Sequence, residues 1–238
     1  MKISTILFDL DGTLLPMDQE VFARAYFGSL AKRLAPRGYD PEKLISSILK
    51  GTNDMIINDG KETNEAVFWK KMTEIYGDKI RDDEPYFDEY YVEDFEKVKK
   101  ICGHDPDAPK CIKELKEQGY RLALATNPLF PRIATRMRIE WAGLDIEDFQ
   151  LVTTYENSAY SKPNLKYYQT ILDSLKISPT EALMVGNDVG DDMVAEQLGM
   201  KVFLLTRDLI NRNDADISSY PQGDFDALME YIKTINNT

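Results

Sequence analysis

Apolar residues recur along this chain in two rhythms. The chain opens on a short, mostly apolar run, Ile3-Ser4-Thr5-Ile6-Leu7-Phe8, with the length and composition of a buried strand. From residue 16 to about 104 the spacing becomes helical. Val21, Phe22, Tyr26, Leu30 and Leu34 mark a helix over 18–34 that ends at Pro36-Arg37-Gly38. A second helix starts near Pro41 and carries Leu44, Ile45, Ile48 and Leu49, after which residues 51–63 read as a polar loop. Asn64 reads as the cap of a third helix, with Val67, Phe68, Met72 and Ile75, stopped by Gly77. Tyr86, Phe87, Tyr90, Tyr91 and Phe95 crowd residues 84–101 and predict a small helical core.

From residue 105 the two rhythms alternate. Helices are expected over 107–118, 131–141, 164–175, 190–198 and 224–235, with apolar runs at 120–126, 149–154, 182–186 and 201–205. Repeated helix–strand units with apolar strands predict an α/β fold whose parallel sheet is covered on both faces. The expected organisation is a Rossmann-like core of residues 1–15 and 105–238. A small all-helical cap, residues 16–104, is inserted after the first core strand.

Composition narrows the chemistry. The formal charge is −12 over 238 residues, which repels nucleic acid and anionic membranes and implies neither as a partner. A phosphorylated ligand would need cations of its own at the site. No apolar stretch reaches membrane-spanning length, and the opening residues lack a signal-peptide pattern, so the expected location is cytoplasmic. Cys102 and Cys111 have no redox spacing and are expected to be reduced. His104 is the single histidine, which excludes paired-histidine catalysis and a three-histidine metal site; its Gly-His-Asp-Pro setting reads as a solvated loop.

The reactive candidates lie where apolar runs end. Asp9 and Asp11 follow the first run one residue apart, so a strand places both on one side, and Gly12 allows a sharp turn. Asp-Gly is also an ordinary turn signal. Two carboxylates so close repel each other, and a divalent metal would offset that charge. Thr126-Asn127-Pro128 offers a hydroxyl and an amide to phosphoryl oxygens, Ser161-Lys162-Pro163 an ammonium, and Gly186-Asn187-Asp188-Val189-Gly190-Asp191-Asp192 a second acidic cluster. Each alone is compatible with a cap, a turn or a solvated side chain. Together they fall after strands, where open α/β sheets bind ligands.

Asp-x-Asp-Gly-Thr, Thr-Asn, Lys-Pro and Gly-Asn-Asp-x-x-x-Asp, in that order, resemble the haloacid dehalogenase-like (HAD) hydrolase superfamily, in its phosphatase branch with a helical cap. The resemblance implies a Mg²⁺-dependent phosphatase acting on a small phosphorylated metabolite. Asp9 would be the nucleophile that forms an aspartyl-phosphate, and Asp11 the acid and base. Thr126, Asn127 and Lys162 would bind phosphate, and Asp9, Asp11 and Asp188 would hold Mg²⁺. Asn187 and Asp192 would support those ligands from behind. Many relatives have Asp directly after the strand-ending glycine where this chain has Asn187, so Asn187, Asp191 and Asp192 stay open as alternatives to Asp188. Asp11 favours phosphoryl transfer over carbon–halogen cleavage. Nothing marks Lys50, Lys61, Lys70 or Lys71 as a Schiff-base lysine. A phosphomutase, or a binding protein that keeps the fold, are the alternative functions.

Overall fold

The structure is a computed structural model that describes residues 2–237. Its six strands form one parallel sheet in the order β3-β2-β1-β4-β5-β6. They are β1 Thr5–Phe8, β2 Arg121–Leu124, β3 Leu151–Val152, β4 Ala182–Gly186, β5 Lys201–Leu205 and β6 Gln222–Gly223. β1 is central, in register with β2 (Leu7 beside Ala123) and β4 (Leu7 beside Met184).

Side chains alternate across a strand, so β1 feeds two cores. Ile6 and Phe8 pack with Ile112 of α6 (Asp107–Glu117) and Leu228 of α9 (Phe225–Asn237). Leu7 joins Met184, Leu204 and Tyr168 of α8 (Leu165–Leu175) on the other face. Each fully buried side chain of this size contributes about 1.5–3 kcal/mol. This is the sheet covered on both faces that the apolar runs predict.

Between β1 and β2 the described chain is helical: α1 Gln19–Leu34, α2 Pro41–Ile56, α3 Asn64–Tyr76, α4 Lys79–Asp82, α5 Glu84–Glu93 and a 3₁₀ segment Phe95–Ile101. Asp18 caps α1 by accepting from the N–H groups of Glu20 and Val21, and Asp40 caps α2 with Pro41 in its first turn. Tyr26 lies at the centre of the expected aromatic core. Its ring contacts Tyr90, Tyr91 and Phe95, and its hydroxyl is 2.8 Å from that of Tyr91. Phe130 and Trp141, the latter on α7 (Arg132–Trp141), bring the sheet side against this core. Where the helical segment begins and ends, Gly103 N–H donates to the Pro16 carbonyl at 2.7 Å.

Several elements depart from the expectations. α2 does not stop before Gly51 but runs to Ile56, because Leu44, Ser47, Ile48, Gly51 and Met55 continue one buried stripe. Thr63, not Asn64, caps α3. Asn64 is fully buried and holds the Pro128 carbonyl and the Ser161 hydroxyl, each at 3.1 Å. Val21 turns out to solvent. The run at 149–154 pairs only at Leu151 and Val152, and 190–198 is a 3₁₀ turn, Met193–Leu198. β6 and α4 lack an apolar periodicity of their own. His104 is an exposed loop residue, and both cysteines are free. Burial pushes the Cys102 thiol up to about 11 and that of Cys111 up to about 12.

Candidate active site

β1, β2 and β4 are neighbours, so the residues that follow them meet at one edge of the sheet. The Asp9 N–H donates to the Val185 carbonyl at 2.9 Å, which extends the β1–β4 pairing by one residue and fixes where the Asp9 side chain leaves the sheet. Gly12 then turns the chain with φ 86°, and a Cβ there would collide with Asn187. Gly186 ends β4 for a similar reason, since a Cβ would occupy the place of the Asp192 carboxylate. Both glycines let an acidic segment fold back against the strand ends.

Asp9, Asp11, Thr126, Asn127, Lys162, Asn187, Asp188, Asp191 and Asp192 all line one cavity. The structure thus brings the sequence-derived set together. Lys162 Nζ lies 2.7 Å from Asp9 Oδ1 and 2.7 Å from Asp192 Oδ1, and its side chain is 2 % exposed. Burial opposes the ammonium charge, yet the attraction of Asp192 and Asp9 holds its pKa well above the usual lysine range. Asp192 is pushed up to about 7, chiefly by burial and with the Asp9 charge adding to it, while Lys162 pulls the other way. Asp192 Oδ2 also accepts from the Asp188 N–H at 3.0 Å, so this residue ties the lysine to the turn after β4.

The Thr13 hydroxyl is 3.2 Å from Asp9 Oδ2 and 3.1 Å from Asn187 Oδ1. Asn187 donates to the Asp208 carbonyl at 2.6 Å. Asn187 therefore braces Thr13, and Thr13 in turn braces Asp9. Asp188 Oδ1 accepts from the N–H groups of Gly190 and Asp191 at 2.9 and 3.1 Å, and its Oδ2 pairs with Arg212. Asp191 is raised by burial, then by the neighbouring Asp188 charge. Among the described residues, no three His, Cys, Asp or Glu side chains converge as a ready metal cage.

Asp11 is separated from this network. Its Oδ2 pairs with Arg138 of α7, and its Oδ1 is buried with no hydrogen-bond partner among the described residues. Burial raises the Asp11 pKa, with Arg138 pulling it down and Asp9 pushing it up. Arg138 is 1 % exposed, stacks 4.3 Å over the Phe130 ring and reaches the Ala134 carbonyl. Arg138 and Arg212 are the site residues that the motifs leave out, and Thr13, though part of the first motif, had no role assigned from the sequence. One sequence signal points to Arg138: it shares a helical face with Ala134 and Trp141, where an apolar residue is the rule.

A lysine buried between aspartates at the carboxyl edge of a parallel sheet marks an α/β enzyme that handles anionic groups. Residues 6–205 match the model of the haloacid dehalogenase-like hydrolase family, and the chain belongs to that family. Its homologues include phosphatases. A pyrophosphatase PpaX of Bacillus cereus is 25% identical over 240 residues, covering 100% of this chain and 98% of its own. A HAD phosphatase from Thermococcus onnurineus has a similar fold, with TM-score 0.61 at 19% identity over 99% of this chain and 100% of that one. A HAD family enzyme from Bacteroides thetaiotaomicron, solved with magnesium and inorganic phosphate, has TM-score 0.53 at 17% identity over 91% and 98%.

Proposed function

We propose that the chain is a Mg²⁺-dependent phosphomonoesterase that works through an aspartyl-phosphate on Asp9. The observation that carries this reading is the position of the Asp9 carboxylate. It lies in the cavity, gripped by Lys162 on one oxygen and Thr13 on the other, with Thr126 lining the same cavity. A carboxylate held on both oxygens keeps one attack direction and loses little entropy on reacting.

The donor chemistry suits Mg²⁺, which binds through one or two carboxylates together with substrate phosphate rather than in an all-protein cage. Asp9 and Asp188 would supply the carboxylates and the Asp11 backbone the carbonyl. Burial and repulsion that raise Asp11, Asp191 and Asp192 together are the electrostatic condition a divalent cation relieves. When bound, the cation offsets the charge of nucleophile and phosphoryl oxygens.

In the first step an Asp9 oxygen forms a bond to phosphorus as the ester P–O bond breaks, and Asp11 gives its proton to the leaving oxygen. The raised pKa of Asp11 favours the protonated form that this step needs. In the second step Asp11 takes a proton from water, which attacks phosphorus and breaks the bond to Asp9. Lys162, the Thr126 hydroxyl and Asn127 hold the remaining phosphoryl oxygens. Residues 1–15 and 105–238 carry this chemistry, and residues 16–104 cover it as a cap.

The test is phosphate release from p-nitrophenyl phosphate and a panel of phosphate esters. Release is expected with Mg²⁺ and is lost on chelation and in Asp9→Asn. Absence of release from every ester, with protein that is folded and metal-loaded, refutes the reading. Isomerised sugar phosphate outpacing free phosphate would replace it with a phosphomutase.

A further inference from the structure

The cavity that holds Asp9 has a volume of 540 Å³, the size of a small-molecule site, and its charged residues gather around Asp9, with Asp88 the one exception on the helical side. On the helical side the lining is mostly apolar, with Phe22, Phe27, Leu49, Ile56, Phe68 and Trp69 among it. Leu49, Thr52 and Ile56 follow one another at helical spacing along α2 and turn to the cavity rather than to the helix's own core stripe. Leu49 is 50% exposed and Ile56 39%, two of the six large apolar side chains left uncovered among the described residues. This is apolar surface that lines the same cavity as the reactive centre and is left uncovered by the described residues.

The charges in the cavity are equally specific. Among the described residues, the cationic ones that line it are Lys162 and Arg212, and each is already paired with an aspartate. The charged residue on the α5 side of the wall is Asp88, an anion. A second phosphate on the substrate would meet mostly apolar walls and a carboxylate, with no unpaired cation among the described lining residues to offset its desolvation. The geometry points to a phosphate monoester whose organic part is a bulky apolar group, alkyl or aromatic, seated against Leu49, Ile56 and Phe68. Pyrophosphate, bisphosphates and polyol phosphates are disfavoured. This inference rests on the phosphatase reading above and names its substrate class.

The experiment compares n-hexyl phosphate with glycerol phosphate and with pyrophosphate, all with Mg²⁺. Hexyl and glycerol phosphate both release an alkyl alcohol, so their difference reports the pocket rather than the leaving group. The expected kcat/KM favours hexyl phosphate at least about tenfold over both, since burying one apolar side chain's worth of surface is enough for that factor. Leu49→Asp and Ile56→Asp, both at exposed positions that spare the fold, are expected to lower the hexyl-over-glycerol ratio about tenfold, through KM. If phosphate is released but pyrophosphate or glycerol phosphate equals hexyl phosphate, the substrate class is wrong and the phosphatase reading survives. If no ester is turned over, the phosphatase reading fails. Calorimetry with hexylphosphonate against methylphosphonate then reads the pocket without turnover. About tenfold tighter binding of the hexyl compound upholds an apolar site, and equal affinity overturns it.

Discussion

Replacing Lys162 by methionine keeps a long unbranched side chain, slightly shorter than the lysine, and removes the charge between Asp9 and Asp192. In the native protein both carboxylates are 2.7 Å from the ammonium and all three groups are buried. The variant leaves two buried carboxyl groups without a cation, and removal of one member of a buried ion pair costs about 3–5 kcal/mol. A chain of this size loses about 2–4 °C in Tm per kcal/mol, so metal-free Lys162→Met should melt roughly 6–20 °C below the native protein. The pH dependence has a fixed sign. Lys162 lowers the pKa of Asp192, which burial has raised to about 7. A raised folded pKa contributes stability that is present below the unfolded value and is lost as pH rises through the folded one. Without the lysine this loss is larger, so the gap between variant and native protein should widen from pH 5 to pH 8. The two tryptophans, Trp69 and Trp141, are buried and give the fluorescence readout for melts in metal-free buffer. Under the proposed chemistry kcat also falls by at least about 100-fold. A variant that melts within about 2 °C of the native protein at pH 8 refutes the reasoning, because the lysine would then not be what holds the two carboxylates together.

Arg138→Met should destabilise less than Lys162→Met, because the Asp11 side chain it leaves behind is 20% exposed and can reach water. Arg138 pulls the Asp11 pKa down, so the limb of the pH–rate profile that belongs to Asp11 should move to higher pH in this variant; an unmoved limb rules out the pairing as a determinant of the acid. In the helical segment, Asp83 accepts from Tyr39 Oη at 2.7 Å and Arg37 Nη2 at 3.0 Å, and the Tyr39 bond is the main cause of its lowered pKa. A depressed folded pKa contributes stability that is present above the unfolded value, 3.8, and is lost as pH falls through the folded one. Asp83→Asn should therefore lie about 1.5–3 kcal/mol below the native protein at pH 6 in urea unfolding, with the difference closing below pH 4.

The sheet was legible because its strands are short apolar runs that end in punctuation: Phe8 before Asp9, Leu124 before Thr126, Val185 before Gly186. The two-residue strand β6 was not, since Gln222 and Gly223 carry no apolar pattern and pair only because β5 offers a free edge. The length of α2 was hidden by the composition of residues 51–54, which looks like a loop until the buried positions are counted at intervals of three and four. The acidic and cationic residues that follow strands announce themselves because the sheet dictates where they converge. Arg138 and Arg212 do not. Each reaches its carboxylate from an element whose distance from β1 or β4 is set by tertiary packing, 127 and 24 residues along the chain from its partner. Thr13 was visible as part of a motif, but its role as a brace depends on Asn187, which lies 174 residues away.

The hydrogen bond between Gly103 and Pro16 means that the whole helical excursion departs and returns through a single doorway beside the first strand. A segment whose two ends already touch can be lengthened, shortened or exchanged without altering strand pairing. Under the proposed function, the aspartates that break bonds and the surface that selects their ligand are then separately mutable, and descendants of this architecture could acquire new ligand preferences while the chemistry stays fixed.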